Sequence, residues 1–123
     1  MSENTLYNRL GGYDVIAGMV DDFFGRLMED KLNSRFLVTL ADDRKMRARQ
    51  LTIDFICAAA GGPSLYIGRD MLAVHKGMGI TNADWDASVD RFVETLDAFG
   101  IAEAEKSEAL AFYQGQKADI VEA

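Results

Sequence analysis

The spacing of apolar residues constrains this chain to helices. Val15, Ile16, Met19, Val20, Phe23, Phe24 and Leu27 recur at i, i+1, i+4, i+5 and i+8, the pattern of one broad helical face. Asp14 is placed to cap the start of that helix, just after Gly11-Gly12 closes a short first helix holding Leu6, Tyr7 and Leu10. A second long helix is expected from about Asp43 to Ala60. Its inward face carries Ala48, Leu51, Thr52, Phe55, Ile56 and Ala59, widened by Ile53 and Cys57, and Gly61-Gly62-Pro63 stops it. Residues Ser64 to Asp70 leave little room for regular structure, and a short helical segment is expected around His75. Thr81 or Asn82 then caps a helix with Trp85, Val89, Phe92, Val93 and Leu96 on one face and Gly100 as its stop. A last helix, roughly Glu103 to Val121, has a mixed face of Leu110, Tyr113, Lys117 and Ile120. No stretch alternates with period two, and no repeat or linker interrupts the pattern. The expectation is an all-α single domain over residues 1–123.

Composition narrows the functional classes. The net charge of −7 argues against nucleic acid as a partner, because phosphate binding needs a basic surface. The local run Arg44-Lys45-Met46-Arg47-Ala48-Arg49 reads as a solvated helix face, with a specific anion site as the alternative. The single cysteine, Cys57, can form no internal disulfide; a buried thiol in a reducing compartment is the natural expectation. No apolar run reaches the ~18 residues of a membrane span, and Met1-Ser2-Glu3-Asn4 lacks the basic start of a signal peptide. The expected location is the cytoplasm.

Enzyme signatures are thin. There is no nucleophile elbow, no phosphate-binding glycine loop and no flavin or nicotinamide motif. His75 is the only histidine, so no acid–base histidine pair exists. A lone histidine is usually structural, and phenylalanines at helical spacing usually pack on one another. A haem site, however, asks physically for little more than one imidazole and an apolar cavity. From the residues alone both readings stand.

The order of the motifs goes further. Leu10-Gly11-Gly12 is followed by Val20-Asp21-Asp22-Phe23-Phe24, an isolated Phe36, and Gly61-Gly62-Pro63. Tyr66-x-Gly68-Arg69-x-Met71 then leads into Val74-His75-Lys76-Gly77, with His75 fourteen residues beyond Gly61. In this order the chain resembles the group I truncated haemoglobins over almost its whole length. The resemblance implies a two-over-two helical sandwich around haem b, with His75 as the metal ligand and Phe36 stacked on the haem. Phe55, Ile56, Met71, Val74, Phe92, Val93 and Leu96 are then candidates to line the cavity. Arg49, Tyr66, Arg69 and Lys76 are available to the propionates.

The ligand side departs from the family pattern. Phe23, Phe24, Ala48 and Thr52 are its expected walls. At the position of Phe24 group I proteins usually carry a tyrosine, whose hydroxyl donates to the bound gas; Phe24 has no donor. The family's glutamine position falls on Thr52, and Gln50 reaches the pocket only if the alignment slips. The resemblance implies binding of oxygen, nitric oxide or carbon monoxide, with oxygen transport or nitric oxide detoxification as roles. Nitric oxide oxidation would need an external reductase. No membrane partner is expected, and a monomer or weak homodimer is. The alternatives are a cofactor-free helical interaction or regulatory module and a haem electron-transfer protein.

Overall fold

The computed structural model describes residues 5–63, 66, 68 and 75–122, and every regular element among them is a helix. These are α1 (Leu6–Leu10), α2 (Tyr13–Glu29), a 3-10 turn (Ser34–Phe36), α3 (Asp42–Ala59), α4 (Asn82–Ala98), α5 (Glu103–Gln114) and α6 (Lys117–Ile120). Helix α2 packs against both α3 and α4, α5 packs on α4, and α1 bridges α2 and α5. Two helix pairs, α2–α3 and α4–α5, therefore meet through α2 and α4, the expected two-over-two arrangement.

Local chemistry sets the ends of these helices. At the end of α3 the N–H of Gly61 donates to Ala58 O (3.2 Å) and that of Gly62 to Cys57 O (2.8 Å), while Gly61 has φ +91°. This paired pattern satisfies the last carbonyls of a helix. Gly62 is required for a different reason: a Cβ there would lie 2.4 Å from the Tyr7 ring. The N–H of Tyr7 donates to Ala60 O at 2.9 Å, so α1 is fastened to the end of α3. Helix α4 ends by the same paired pattern, with Gly100 N–H on Asp97 O and Ile101 N–H on Leu96 O.

Three expectations need correction. Asp14 does not cap α2; Gly12 holds the cap position and Asp14 lies in the first turn, where its charge meets the positive end of the helix dipole. The inward stripe of α3 is rotated. Ile53 and Cys57 are fully buried, whereas Ala48, Leu51, Thr52, Phe55 and Ile56 are half-buried and Ala59 is exposed. The last helix is two, because a turn at Gly115-Gln116 separates α5 from α6.

The core where α2, α3 and α4 cross consists of Ile16, Met19, Val20, Ile53, Cys57 and Leu96, joined by Leu10 and Ala109. Burying a side chain such as Ile53 or Leu96 stabilises the fold by about 1.5–3 kcal/mol. Beside it lies an aromatic stack. The Tyr113 ring is parallel to Phe92 (4.5 Å between centroids) and to Trp85 (4.8 Å), and Phe23 meets it edge-on at 5.8 Å. The buried line of α4 is partly polar: Asp84, Trp85, Ser88, Thr95 and Leu96. Val89 and Val93, expected on that face, are half-buried. Ser88 and Thr95 can sit inside because each has partners. The Ser88 hydroxyl donates to Trp85 O and accepts from Tyr113, and the Thr95 hydroxyl donates to Asp22 at 2.7 Å.

Candidate haem site

His75 is half-buried at the head of a tight turn, and its carbonyl accepts from Met78 N–H at 3.2 Å. The turn passes through Gly77 and Gly79, with φ of +87° and +72°, to buried Ile80 and then Thr81. Thr81 opens α4 with a reciprocal cap: its hydroxyl accepts from Asp84 N–H (3.1 Å), and its own N–H donates to the Asp84 carboxylate (2.9 Å). Arg69, Met71 and Val74, expected around His75, lie outside the described residues. Lys76 is exposed.

A second segment carries Phe36. Helix α2 ends at Asp30, whose carboxylate accepts from Leu32 N–H, Asn33 N–H and the Asn33 side-chain amide, all within 3.2 Å. Burial pushes the Asp30 carboxyl up, but the amide donors of Asn33 and Leu32 outweigh it and hold it below its ordinary value. The Asn33 amide also donates to Asp84 O at 3.1 Å. Arg35 reaches the same residue, donating through both terminal nitrogens to the two Asp84 oxygens at 3.0 and 2.6 Å. Its guanidinium carbon lies 4.2 Å from the centroid of the Phe36 ring. The Arg35 guanidinium, with help from Thr81, holds the 2% exposed Asp84 carboxyl below the usual carboxylate range. Asp84 thus ties the turn before α4 to the segment bearing Phe36.

The α3 side is mostly apolar. Phe24, Met28, Leu37, Lys45 and Ala48 line a cavity of about 40 Å³. That is room enough for a molecule the size of water or a diatomic gas. The Thr52 hydroxyl donates to Ala48 O at 2.7 Å, the bond to the preceding turn that helical threonines favour. Gln50 is exposed and donates to Tyr13 Oη (2.8 Å) and Asp54 (3.1 Å), on the outer side of α3. A larger open groove of about 350 Å³ runs along that outer side, past Met46, Arg47, Arg49, Gln50, Leu51 and Asp54, and shares no residue with the small cavity. Arg49 is engaged with Asp21 of α2.

The remaining candidates divide into two groups. The Phe55 ring meets Tyr66 edge-on at 5.2 Å and Phe112 of α5 at 5.8 Å, and Ile56 packs against the main core. Phe23 and Phe92 belong to the Tyr113 stack, and Leu96 is sealed in the main core at 1% exposure, so Leu96 packs between helices rather than forming an open wall. Val93 is half-buried. Residues the sequence reading missed are Arg35, Asp84 and Glu122. The Thr81-x-x-Asp84 spacing is a readable cap signal; the partners 43 to 49 residues away are not.

Comparison with known proteins agrees with this fold. The family model for bacterial-like globins matches residues 5–121. The group 1 truncated haemoglobin of Tetrahymena pyriformis is 29% identical over 117 residues, covering 95% of this chain and 94% of its own. Its crystal structure in the Fe(III) form has a TM-score of 0.88, with 98% and 100% of the two chains covered. The group 1 truncated haemoglobin of Mycolicibacterium paratuberculosis is 31% identical over 106 residues, 86% of this chain and 76% of its own. The 2/2 haemoglobin of a Synechococcus, solved with covalently attached haem, has a TM-score of 0.86 at 26% identity, covering 95% of this chain and 98% of its own. This chain belongs to the bacterial-like globin family, among the group 1 truncated haemoglobins.

Proposed function

We propose that the chain binds oxygen, nitric oxide or carbon monoxide reversibly on a haem b ligated by His75, and releases oxygen quickly. Globins bind such gases through haem; the ligand, the kinetics and the form of the cofactor are our reading. The residues present suit that group. His75 supplies an imidazole at a turn, Phe36 a ring under Arg35, and Ala48, Thr52 and Phe55 a largely apolar stripe of α3 that the helix core leaves half-buried. Bound there, haem would supply an iron with one position open to a gas.

The observation that carries the proposal is the chemistry of the small cavity. Of the residues that line it, Phe24, Met28, Leu37 and Ala48 have no side-chain donor and only Lys45 has one, while the Thr52 proton is already used on Ala48 O. Gln50 is turned away toward Tyr13. A hydrogen bond to the bound gas contributes about 1–2 kcal/mol, roughly tenfold in dissociation rate. The absence of a tyrosine or glutamine donor weighs against nitric oxide oxidation, which needs oxygen to stay in place until nitric oxide arrives. It also needs an external reductase.

The test has two parts. Ferrous and ferric visible spectra of wild type and His75→Ala establish the ligand: a haem band that survives His75→Ala unchanged removes His75 from the role. Stopped-flow measurement of oxygen release then compares wild type with Phe24→Tyr. The restored hydroxyl is expected to slow release by about tenfold; an unchanged or faster rate refutes the pocket geometry.

A further inference from the structure

The turn after His75 is held by the far end of the chain. Gly77 N–H donates to one oxygen of the Glu122 carboxylate at 3.0 Å, and Gly79 N–H to the other at 2.7 Å. Glu122 N–H in turn donates to Ile80 O at 2.9 Å. Three bonds therefore join one residue to three of the five positions that follow His75. Backbone N–H groups that converge in this way form an anion-binding hollow, and positive φ at Gly77 and Gly79 is what turns them to one side. Here the anion is the chain's own side chain, delivered by α6.

We propose that Glu122 is a positioning residue for His75: its carboxylate fixes the course of the turn and so the height and rotation of the imidazole. The argument rests on His75 as the iron ligand. Helix α4 anchors the far end of the turn through Thr81 and Asp84, which leaves the stretch from Lys76 to Ile80 to be set locally. Glu122 supplies both acceptors there. No side chain from α4 bonds these two glycine N–H groups in place of it.

The test uses the full haem-loaded chain as wild type, His75→Ala, Glu122→Ala and Glu122→Gln. The iron–imidazole stretching band of the ferrous protein is read by resonance Raman, and the rate of haem transfer to an excess of acceptor apoglobin is read alongside it. Wild type is expected to show the band and His75→Ala to lose it; otherwise the ligand reading fails, whatever Glu122 does. Given that band, Glu122→Ala is expected to shift and broaden it and to speed haem transfer by about tenfold, as for residues that orient a metal ligand. Glu122→Gln keeps one acceptor oxygen and should fall between. A band and transfer rate equal to wild type in Glu122→Ala overturn the proposal, as does a change seen only together with loss of helical circular dichroism. Should Glu122→Ala not fold, Glu122→Gln carries the same comparison at smaller amplitude, and a wild-type band in it overturns the proposal equally.

Discussion

The crossing of α2, α3 and α4 and the segments around His75 and Phe36 are stabilised by different physics. At the crossing, Ile16, Ile53 and Leu96 are almost wholly shielded and hold through contact area. Around His75 and Phe36 the backbone leaves regular helix, and directional bonds to three carboxylates, Asp30, Asp84 and Glu122, replace packing. Burial is strong but tolerant of small shifts, because it depends on area and not on angle. Bonds to a carboxylate are weaker in sum but fix direction. On the proposal that His75 and Phe36 hold haem, bulk packing supplies strength and carboxylates supply aim.

The largest expected effect comes from breaking the packed side. Leu96→Ala removes a side chain that is 1% exposed and should cost about 2–5 kcal/mol in chemical denaturation. If strength and aim are separate, the haem spectrum of the folded variant stays that of wild type; a shifted spectrum would merge the two regions into one. Breaking the polar side should do the reverse. Asp84→Asn weakens the bidentate Arg35 pair and the α4 cap, for a loss of about 1–2 kcal/mol, together with a changed haem spectrum as Phe36 loosens. Its pH dependence has a definite sign. The Arg35 guanidinium holds the folded carboxyl below its ordinary 3.8, so the stabilisation is present above that value and fades as pH falls through the lower folded value. The stability gap between wild type and Asp84→Asn should therefore shrink in acid below pH 3.8.

Tyr113 sharpens the comparison because it belongs to both kinds of region. Its ring is stacked between Phe92 and Trp85, while its hydroxyl donates to Ser88 at 2.9 Å. Tyr113→Phe keeps the ring and should cost about 1 kcal/mol near neutral pH. Burial pushes the phenol from 10.0 up to about 12, so above pH 10 the unfolded chain ionises first and wild type loses stability. Denaturation curves of the two proteins should converge above pH 10 and then cross. Parallel curves would mean that the phenol is solvated.

Much of this was legible in the sequence, and the exceptions have a common cause. Gly61, Gly62 and Gly100 mark helix ends because their signal is local: the left-handed turn and the last carbonyls lie within five residues. The bond from Thr52 to Ala48 O is equally local, spanning one helical turn. The rotation of α3 was not legible, since Ile53 and Phe55 look alike to a periodicity argument, and only the packing of α2 decides which is shielded. Glu122 looked like one more surface acid near the end of an acidic chain. Its partners are two glycines more than forty residues earlier, and nothing in the composition of either segment announces the other.

Cys57 lies in the deepest layer of the helix crossing, at 0% exposure. The protein thereby carries a built-in chemical clock. A thiol reagent added to the native chain has a single sulfhydryl to find, and it can reach that sulfhydryl only when the α2–α3–α4 layer parts. The rate of labelling, free of any introduced probe, counts how often the whole core opens.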